Sequence, residues 1–294
     1  MELRQLRYFT EAAEQLNFTE AARNMCITQS TLSQQIKQLE EELDILLFDR
    51  IGKRVLLTEA GESFLPYAKK TLQEAESGKQ IIMDLQNIEG GTLRIGVTYS
   101  LSPLLTNAII LFTKRHPAVK LEIQYRSSGD LLELLKNHKV DVILSFKPAV
   151  EEPHIESTVL FESSLSLVVH RFHPLAALKS ISLERLSNEP LILLSKGYTA
   201  RAMLDHQLEQ KGIHLNPAVE LNEVNILLQL VKSGRWATVL SKATIFGQSD
   251  LKAIPLATKS SQMNAALLSL KDVYKKKSML AFTKLLLNIS VAHG

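Results

Sequence analysis

Residues 18–40 read Phe18-Thr19-Glu20-Ala21-Ala22-Arg23-Asn24-Met25-Cys26-Ile27-Thr28-Gln29-Ser30-Thr31-Leu32-Ser33-Gln34-Gln35-Ile36-Lys37-Gln38-Leu39-Glu40. Leu32, Ile36, Leu39 and, further on, Leu43 recur every three or four residues, the stripe of a helix running from about Gln29 to Leu43. Thr28 stands where a hydroxyl accepts from the free N–H groups of the first turn. Before it, the chain predicts a shorter helix through Met25, opened by Asn17-Phe18-Thr19 with Thr19 as the cap. Ala21 and Ala22 are small where helices must approach closely, and Cys26-Ile27-Thr28 breaks the pattern. Two helices joined by so short a break form a helix-turn-helix. Cys26, inside that turn, is expected to be a small buried residue rather than a reactive thiol.

The face opposite the apolar stripe carries Gln29, Ser30, Thr31, Ser33, Gln34 and Lys37. Base edges are read by donors and acceptors such as Gln, Ser and Thr, whereas phosphates are held by Lys and Arg. Taken alone, such a face is an ordinary solvated surface, and its neighbours supply the meaning. Upstream, Leu3, Leu6, Phe9, Ala12, Ala13 and Leu16 mark an amphipathic helix ending near Asn17. Downstream, Phe48 to Leu57 reads as two short strands around Gly52, a hairpin whose Arg50, Lys53 and Arg54 suit a duplex backbone. Thr19 joins the same set of DNA-facing candidates.

Charge alone would miss this surface, because residues 1–60 hold seven Lys/Arg against ten Asp/Glu. Placement matters more: Glu40, Glu41, Glu42 and Asp44 cluster past the middle of the third helix, and Arg50, Lys53 and Arg54 come after it. The 294 residues exceed one core, and a single cysteine excludes an intrachain disulfide. Neither a signal peptide nor a membrane span is legible, so a cytoplasmic protein without membrane contact is expected.

Thr58 is placed to cap a long helix from Glu59 to about Ile88. Phe64, Ala68, Thr71, Ala75, Gly78, Ile82 and Leu85 trace a seam along it, suited to pairing with a second copy, and packing on its own domain is the alternative. Pro66 predicts a bend, and Glu89-Gly90-Gly91 a boundary. The expected division is 1–58, 59–89 and 90–294.

Beyond the boundary, Leu93–Val97, Leu121–Tyr125 and Val140–Ser145 read as buried strands separated by helical patterns, a βαβαβ start. Leu165–Val169, Leu191–Leu194, Val219–Leu221, Thr238–Leu240 and Leu251–Ile254 continue the alternation; Ala265–Leu270 returns as a strand and Met279–Ile289 as a last helix. This predicts two α/β lobes, about 92–161 with 265–294 and about 162–264, joined by crossovers near Phe161–Ser164 and Gln262–Asn264. Ligands in such sheets bind beyond the strands' carboxyl ends, at helix N-termini. Three places qualify: Thr98 to Pro103, with Ser102 as cap; Ser127 to Asp130; and Gly197 to Arg201 from the second lobe.

Four blocks in order, Phe18 to Ala22, Thr28 to Glu40, Leu47-Phe48-Asp49-Arg50 and Leu57-Thr58-Glu59-Ala60-Gly61, resemble the signature of the LysR family of bacterial transcription factors. Ser30 stands where that family often has proline. The resemblance implies an α/β protein with an N-terminal winged helix-turn-helix and a C-terminal two-lobed, periplasmic-binding-protein-like effector domain. It implies a pseudo-palindromic DNA site, a homodimer or homotetramer with recognition helices ~34 Å apart, a small-molecule effector, and an effect on RNA polymerase. Ser100, Ser102, Ser128 and Thr199 match positions where members contact effectors; Arg201 either attracts an anion or pairs with Asp205. Residues 234–241, with Trp236 and Ser241, depart from the family's glycine-rich entry ending in Leu-Pro. Across Leu165–Ala176 and Leu193–Asp205 the chain is similar to the branch containing the cyanate-operon regulator, which makes a compact anion such as cyanate, or a small carboxylate, the effector to test.

The rival readings are an enzyme or a solute-binding protein of the same two-lobed class. No GxGxxG, P-loop, HExxH or GxSxG spacing is present, and the eight histidines lack metal-ligand spacing. No catalytic, cofactor or metal site is therefore expected.

Overall fold

The stripe of the third helix finds its partners as the spacing requires. The computed structural model describes the chain except residues 52–53, 86–89, 149, 151, 259–260 and 292–294, and it divides into two compact units, Met1–Asn87 and Ile88–Gly294. The first contains α1 (Leu3–Gln15), α2 (Phe18–Asn24), α3 (Gln29–Leu43), β1 (Phe48–Ile51), β2 (Arg54–Leu57) and α4 (Glu59–Leu85). Leu6, Phe9, Leu32, Ile36, Leu39 and Leu47 are fully buried in one core. Phe9 sits at its centre, 5.5 Å from Phe48 and 5.3 Å from Phe64 between ring centroids, so α1, the hairpin and α4 close on one aromatic cluster.

A buried carboxylate ties α3 to the hairpin. Glu40 Oε1 accepts from the backbone N–H groups of Leu47 (2.9 Å) and Phe48 (3.1 Å), two donors that a helix-to-strand turn would otherwise leave unsatisfied. The next junction depends on a missing side chain. Thr58 caps α4, accepting from Gly61 N–H, and a Cβ at Gly61 would lie 2.2 Å from the Leu47 carbonyl oxygen.

Several local expectations are corrected here. Asn17, not Thr19, caps α2: its Oδ1 accepts from Thr19 and Glu20 N–H, because Leu16 has already left the helix with φ 48°. Cys26 is exposed, not buried; its φ of 55° turns the side chain out of the break. The seam of α4 is divided, since Phe64, Leu65, Ala68 and Leu72 pack on the unit's own core whereas Ile81 and Ile82 are exposed. Pro66 lies inside the helix, as the sequence places it. Gly52, Ile88 and Glu89, named in the sequence reading, lie outside the described residues.

The second unit contains β3 (Thr92–Val97), α5 (Ser102–Arg115), β4 (Lys120–Tyr125), α6 (Ser128–Lys136), β5 (Val142–Phe146), β6 (Ile155–His170), α7 (Leu183–Leu186), β7 (Ile192–Leu194), α8 (Thr199–Gln210), β8 (Val219–Leu221), α9 (Val224–Lys232), β9 (Thr238–Ser241), β10 (Leu251–Pro255), β11 (Gln262–Leu270) and α10 (Lys277–Val291). In lobe I, β3 lies parallel between β4 and β5, and β11 extends the sheet antiparallel to β5. Phe112 of α5 meets Phe282 of α10 edge-on at 5.3 Å, so the last helix does rejoin the first lobe. Asp141 Oδ2 fixes its entry, accepting from Arg94 N–H at 2.8 Å and from Lys276 at 2.9 Å.

The crossovers are strands, not linkers. Through Ser164, β6 pairs antiparallel with β11; from Leu165 it pairs instead with β9 and β10 in lobe II. Its first half is absent from the sequence reading because Glu156, Ser157, Thr158, Glu162, Ser163 and Ser164 interrupt the apolar pattern that marks a buried strand. Lobe II is completed by β7 and β8, parallel to each other and bridged to β9 at Leu191 and Ala237.

Two substitutions test the N-terminal unit. Glu40→Ala leaves two buried donors without an acceptor and is expected to cost about 2 kcal/mol; Gly61→Ala forces the start of α4 off the Leu47 carbonyl at a cost of about 1–3 kcal/mol. Urea denaturation followed by far-UV circular dichroism reads both, and midpoints equal to the wild type would refute this account of the hairpin's attachment.

Candidate functional site

In the first unit, burial of the α3 stripe leaves Gln29, Ser30, Thr31, Gln34 and Lys37 exposed and Ser33 half-buried. The start of the helix is already knitted together. Thr28 Oγ1 lies 2.9 Å from Ser30 Oγ and 2.8 Å from Thr31 Oγ1, and it accepts from Thr31 N–H. Gln29 donates to Ser33 Oγ at 2.8 Å, and Lys37 lies 3.5 Å from Glu41 in a solvent-exposed pair. Thr19 is exposed on α2, with its N–H given to Asn17. Arg50 and Arg54 lie on adjoining strands of the hairpin, where Arg50 faces Val55 and Ile51 faces Arg54; Lys53 lies outside the described residues.

In the second unit, the candidates at the lobe junction separate into two groups. Ser128, first residue of α6, and Thr199, first residue of α8, come from opposite lobes, and their hydroxyl oxygens are 2.6 Å apart. Ser145 at the end of β5 completes the group, 3.2 Å from Ser128 and almost wholly buried. That residue was missed, although a serine closing the apolar run Val142-Ile143-Leu144 was the available signal. Ser128 is free for this contact because its neighbour Ser127 caps α6, accepting from Asp130 N–H.

The other candidates do different work. Ser102 is not a cap: its hydroxyl donates to the Tyr99 carbonyl at 2.7 Å, and a short turn over Tyr99–Leu101 leads into α5. Ser100 is buried in that turn. Arg201 is the structural ion pair rather than an open anion site. It donates to Asp205 (2.8 Å), Glu220 (3.0 Å) and the Leu194 carbonyl (2.7 Å), joining α8 to β7 and β8. Burial opposes its charge, but Asp205 and Glu220 outweigh that and hold its pKa above the ordinary arginine value.

Aromatic side chains frame the junction. Tyr99 stacks on Tyr125 at 4.9 Å and, with Tyr198 and Trp236, packs against the lobe II cluster of Val168, Leu194, Leu227 and Leu240. Burial, reinforced by Tyr99, Glu223 and Asp130, raises the Tyr198 pKa, and its phenol donates to the Asn222 carbonyl. Ser241, part of the segment that departs from the family's pattern, lies 2.8 Å from Ser163 where β6 changes sheets. Thr98 at the end of β3 and Thr244 just after β9 add buried hydroxyls with no protein partner, an arrangement no spacing rule reveals. Two helix N-termini and a group of hydroxyls thus converge from opposite lobes, a setting that favours negative charge.

Among the described residues, no group of three or more His, Cys, Asp or Glu gathers to hold a metal, and no helix is long and apolar enough to cross a membrane.

Two family models match the chain: the bacterial regulatory helix-turn-helix protein of the lysR family over residues 3–62, and the LysR substrate binding domain over 86–289. The transcriptional dual regulator GltC of Bacillus subtilis is 33% identical over 83% of this chain and 82% of its own. The transcriptional activator CmpR of Synechocystis is 30% identical over 81% and 78%. Among solved structures, a full-length OxyR variant from Pseudomonas aeruginosa superposes with a TM-score of 0.74 at 23% identity, covering 98% of each chain. Full-length BenM superposes at 0.58 with 28% identity over 100% and 98%. GltC and CmpR are transcriptional regulators, not enzymes. A helix-turn-helix unit followed by a two-lobed substrate-binding domain, matched over nearly its whole length, places this chain in the LysR family of bacterial transcriptional regulators.

Proposed function

We propose that this regulator binds a pseudo-palindromic promoter site as a homodimer or homotetramer, and that a small anion held between its two lobes retunes that binding. The Ser128–Thr199 contact carries the effector half of this reading: hydroxyls from opposite lobes meet where two helices direct their N-terminal ends. Ser100, Thr98 and Thr244 are the further hydroxyls within this junction, and Arg201 holds lobe II in shape without meeting the ligand. Cyanate, formate and acetate share the required chemistry, a compact delocalised anion.

The DNA half rests on the exposed face of α3, with Arg50 and Arg54 of the hairpin, together with Lys37 and Lys53, holding phosphates. Full-length CbnR, solved with its target DNA, shares the fold at a TM-score of 0.63. The exposed Ile81 and Ile82 on the far part of α4 supply apolar surface for pairing with a second copy. Ligand binding then prefers one arrangement of the assembly, changing DNA bend and access of RNA polymerase in the cytoplasm.

Salt titration tests the first half. The logarithm of the affinity for operator DNA is expected to fall linearly with the logarithm of salt concentration, and Arg50→Ala and Arg54→Ala each to reduce the slope by about 1. Unchanged slopes would remove the hairpin from the interface. Calorimetric titration with cyanate, formate and acetate tests the second. At least one should release heat with the wild type and none with the double variant Ser128→Ala, Thr199→Val; silence from all three ends the anion assignment. DNase footprints that are identical with and without the binding anion would refute its coupling to DNA.

A further inference from the structure

Resting on the operator reading above, we infer that Gln34 is the residue through which this protein selects one base pair in each half-site, and that the pair is A·T with adenine read by the glutamine amide. Position on the helix is the first argument. At 3.6 residues per turn, Gln34 lies about 200° around from Ile36, the middle of the buried stripe, and so stands at the crest of the exposed face. Ser30 and Gln38 share that crest one turn to either side. Ser30 is short and joined to Thr28, and Gln38 accepts from Gln35 and adjoins the exposed Glu41 and Glu42, which a duplex repels.

Hydrogen-bond accounting is the second argument. Thr28, Ser30 and Thr31 satisfy one another, Gln29 is bonded to Ser33, and Lys37 is paired with Glu41. Among the described residues, no hydrogen bond within the chain engages the Gln34 side chain. Its amide keeps both donors and both acceptor sites for an incoming partner, and meeting that partner breaks no existing bond. An amide that donates and accepts side by side matches the N7 acceptor and N6 donor of adenine in the major groove, whereas guanine presents two acceptors there and calls for arginine.

Selection from a random duplex library by the full-length protein tests this. The wild type is expected to enrich a two-fold motif with an A·T pair at one position of each half-site. Gln34→Ala should lose about ten- to a hundredfold discrimination at that pair alone, and Gln34→Arg should replace it with G·C. If Gln34→Ala enriches the same bases at every position, or if the altered pair was not A·T, the inference is overturned. If the wild type enriches no two-fold motif, the operator reading itself falls and takes the inference with it.

Discussion

Strand β6 belongs to two sheets, and the second unit takes its form from that constraint. Its backbone donors and acceptors are committed to β11 before Leu165 and to β9 and β10 from there on. A strand bonded on both sides of a crossing point cannot slide, because a one-residue slip would turn every buried side chain outward. Its continuity therefore holds the register of the two lobes while leaving the region around Ser163 and Ser164 as the place where they meet. The pair of buried hydroxyls there, Ser163 with Ser241, satisfies polar groups that an irregular crossing would expose.

From that fixed crossing the functional surface follows. Parallel strands β3 and β4 deliver the starts of α5 and α6, and β5 its own carboxyl end, toward lobe II, whose β7 delivers the start of α8 toward lobe I. Helix N-termini then meet because of topology, and hydroxyl side chains occupy them because Ser and Thr suit first-turn positions. The same economy governs α3. A helix of this length buries one stripe, so once Leu32, Ile36 and Leu39 enter the core, the identity of the exposed residues is open to function.

Legibility in the sequence followed the strength of local signals. The bounds of α3, its cap at Thr28 and the cap of α4 at Thr58 were readable, because apolar periodicity and capping act within a few residues. Most strands of the second unit were readable as apolar runs. What escaped was set by distant partners. The first half of β6 carries too many polar residues to announce a strand, and its place is decided by β11, about a hundred residues later in the chain. Ser102 had the right chemistry for a cap, but the turn over Tyr99–Leu101 gave its hydroxyl a nearer acceptor. Arg201 was readable as a cation, though only the arrival of Glu220 from β8 shows that its charge is spent inside lobe II.

The direct bond between Ser128 and Thr199 bears on how a ligand acts on this fold. A hydrogen bond between neutral hydroxyls contributes on the order of 1 kcal/mol, so the lobes touch without being locked. On the proposed reading, an anion entering between them would replace one such bond by several charge-assisted ones, each roughly twice as strong. The gain depends on both lobes contributing donors at once, and it is therefore felt only in the arrangement that brings α6 and α8 together. That is the condition for a ligand to shift an equilibrium: it must interact differently with the two states. Coupling free energies between sites are typically about 1–3 kcal/mol, a scale that one exchanged hydroxyl contact and a few new bonds to helix N-termini can supply. A buried, unpaired arginine at the same point would have held the anion more tightly. With Asp205 and Glu220 engaging Arg201, an anion at the proposed site would meet dipoles and hydroxyls instead.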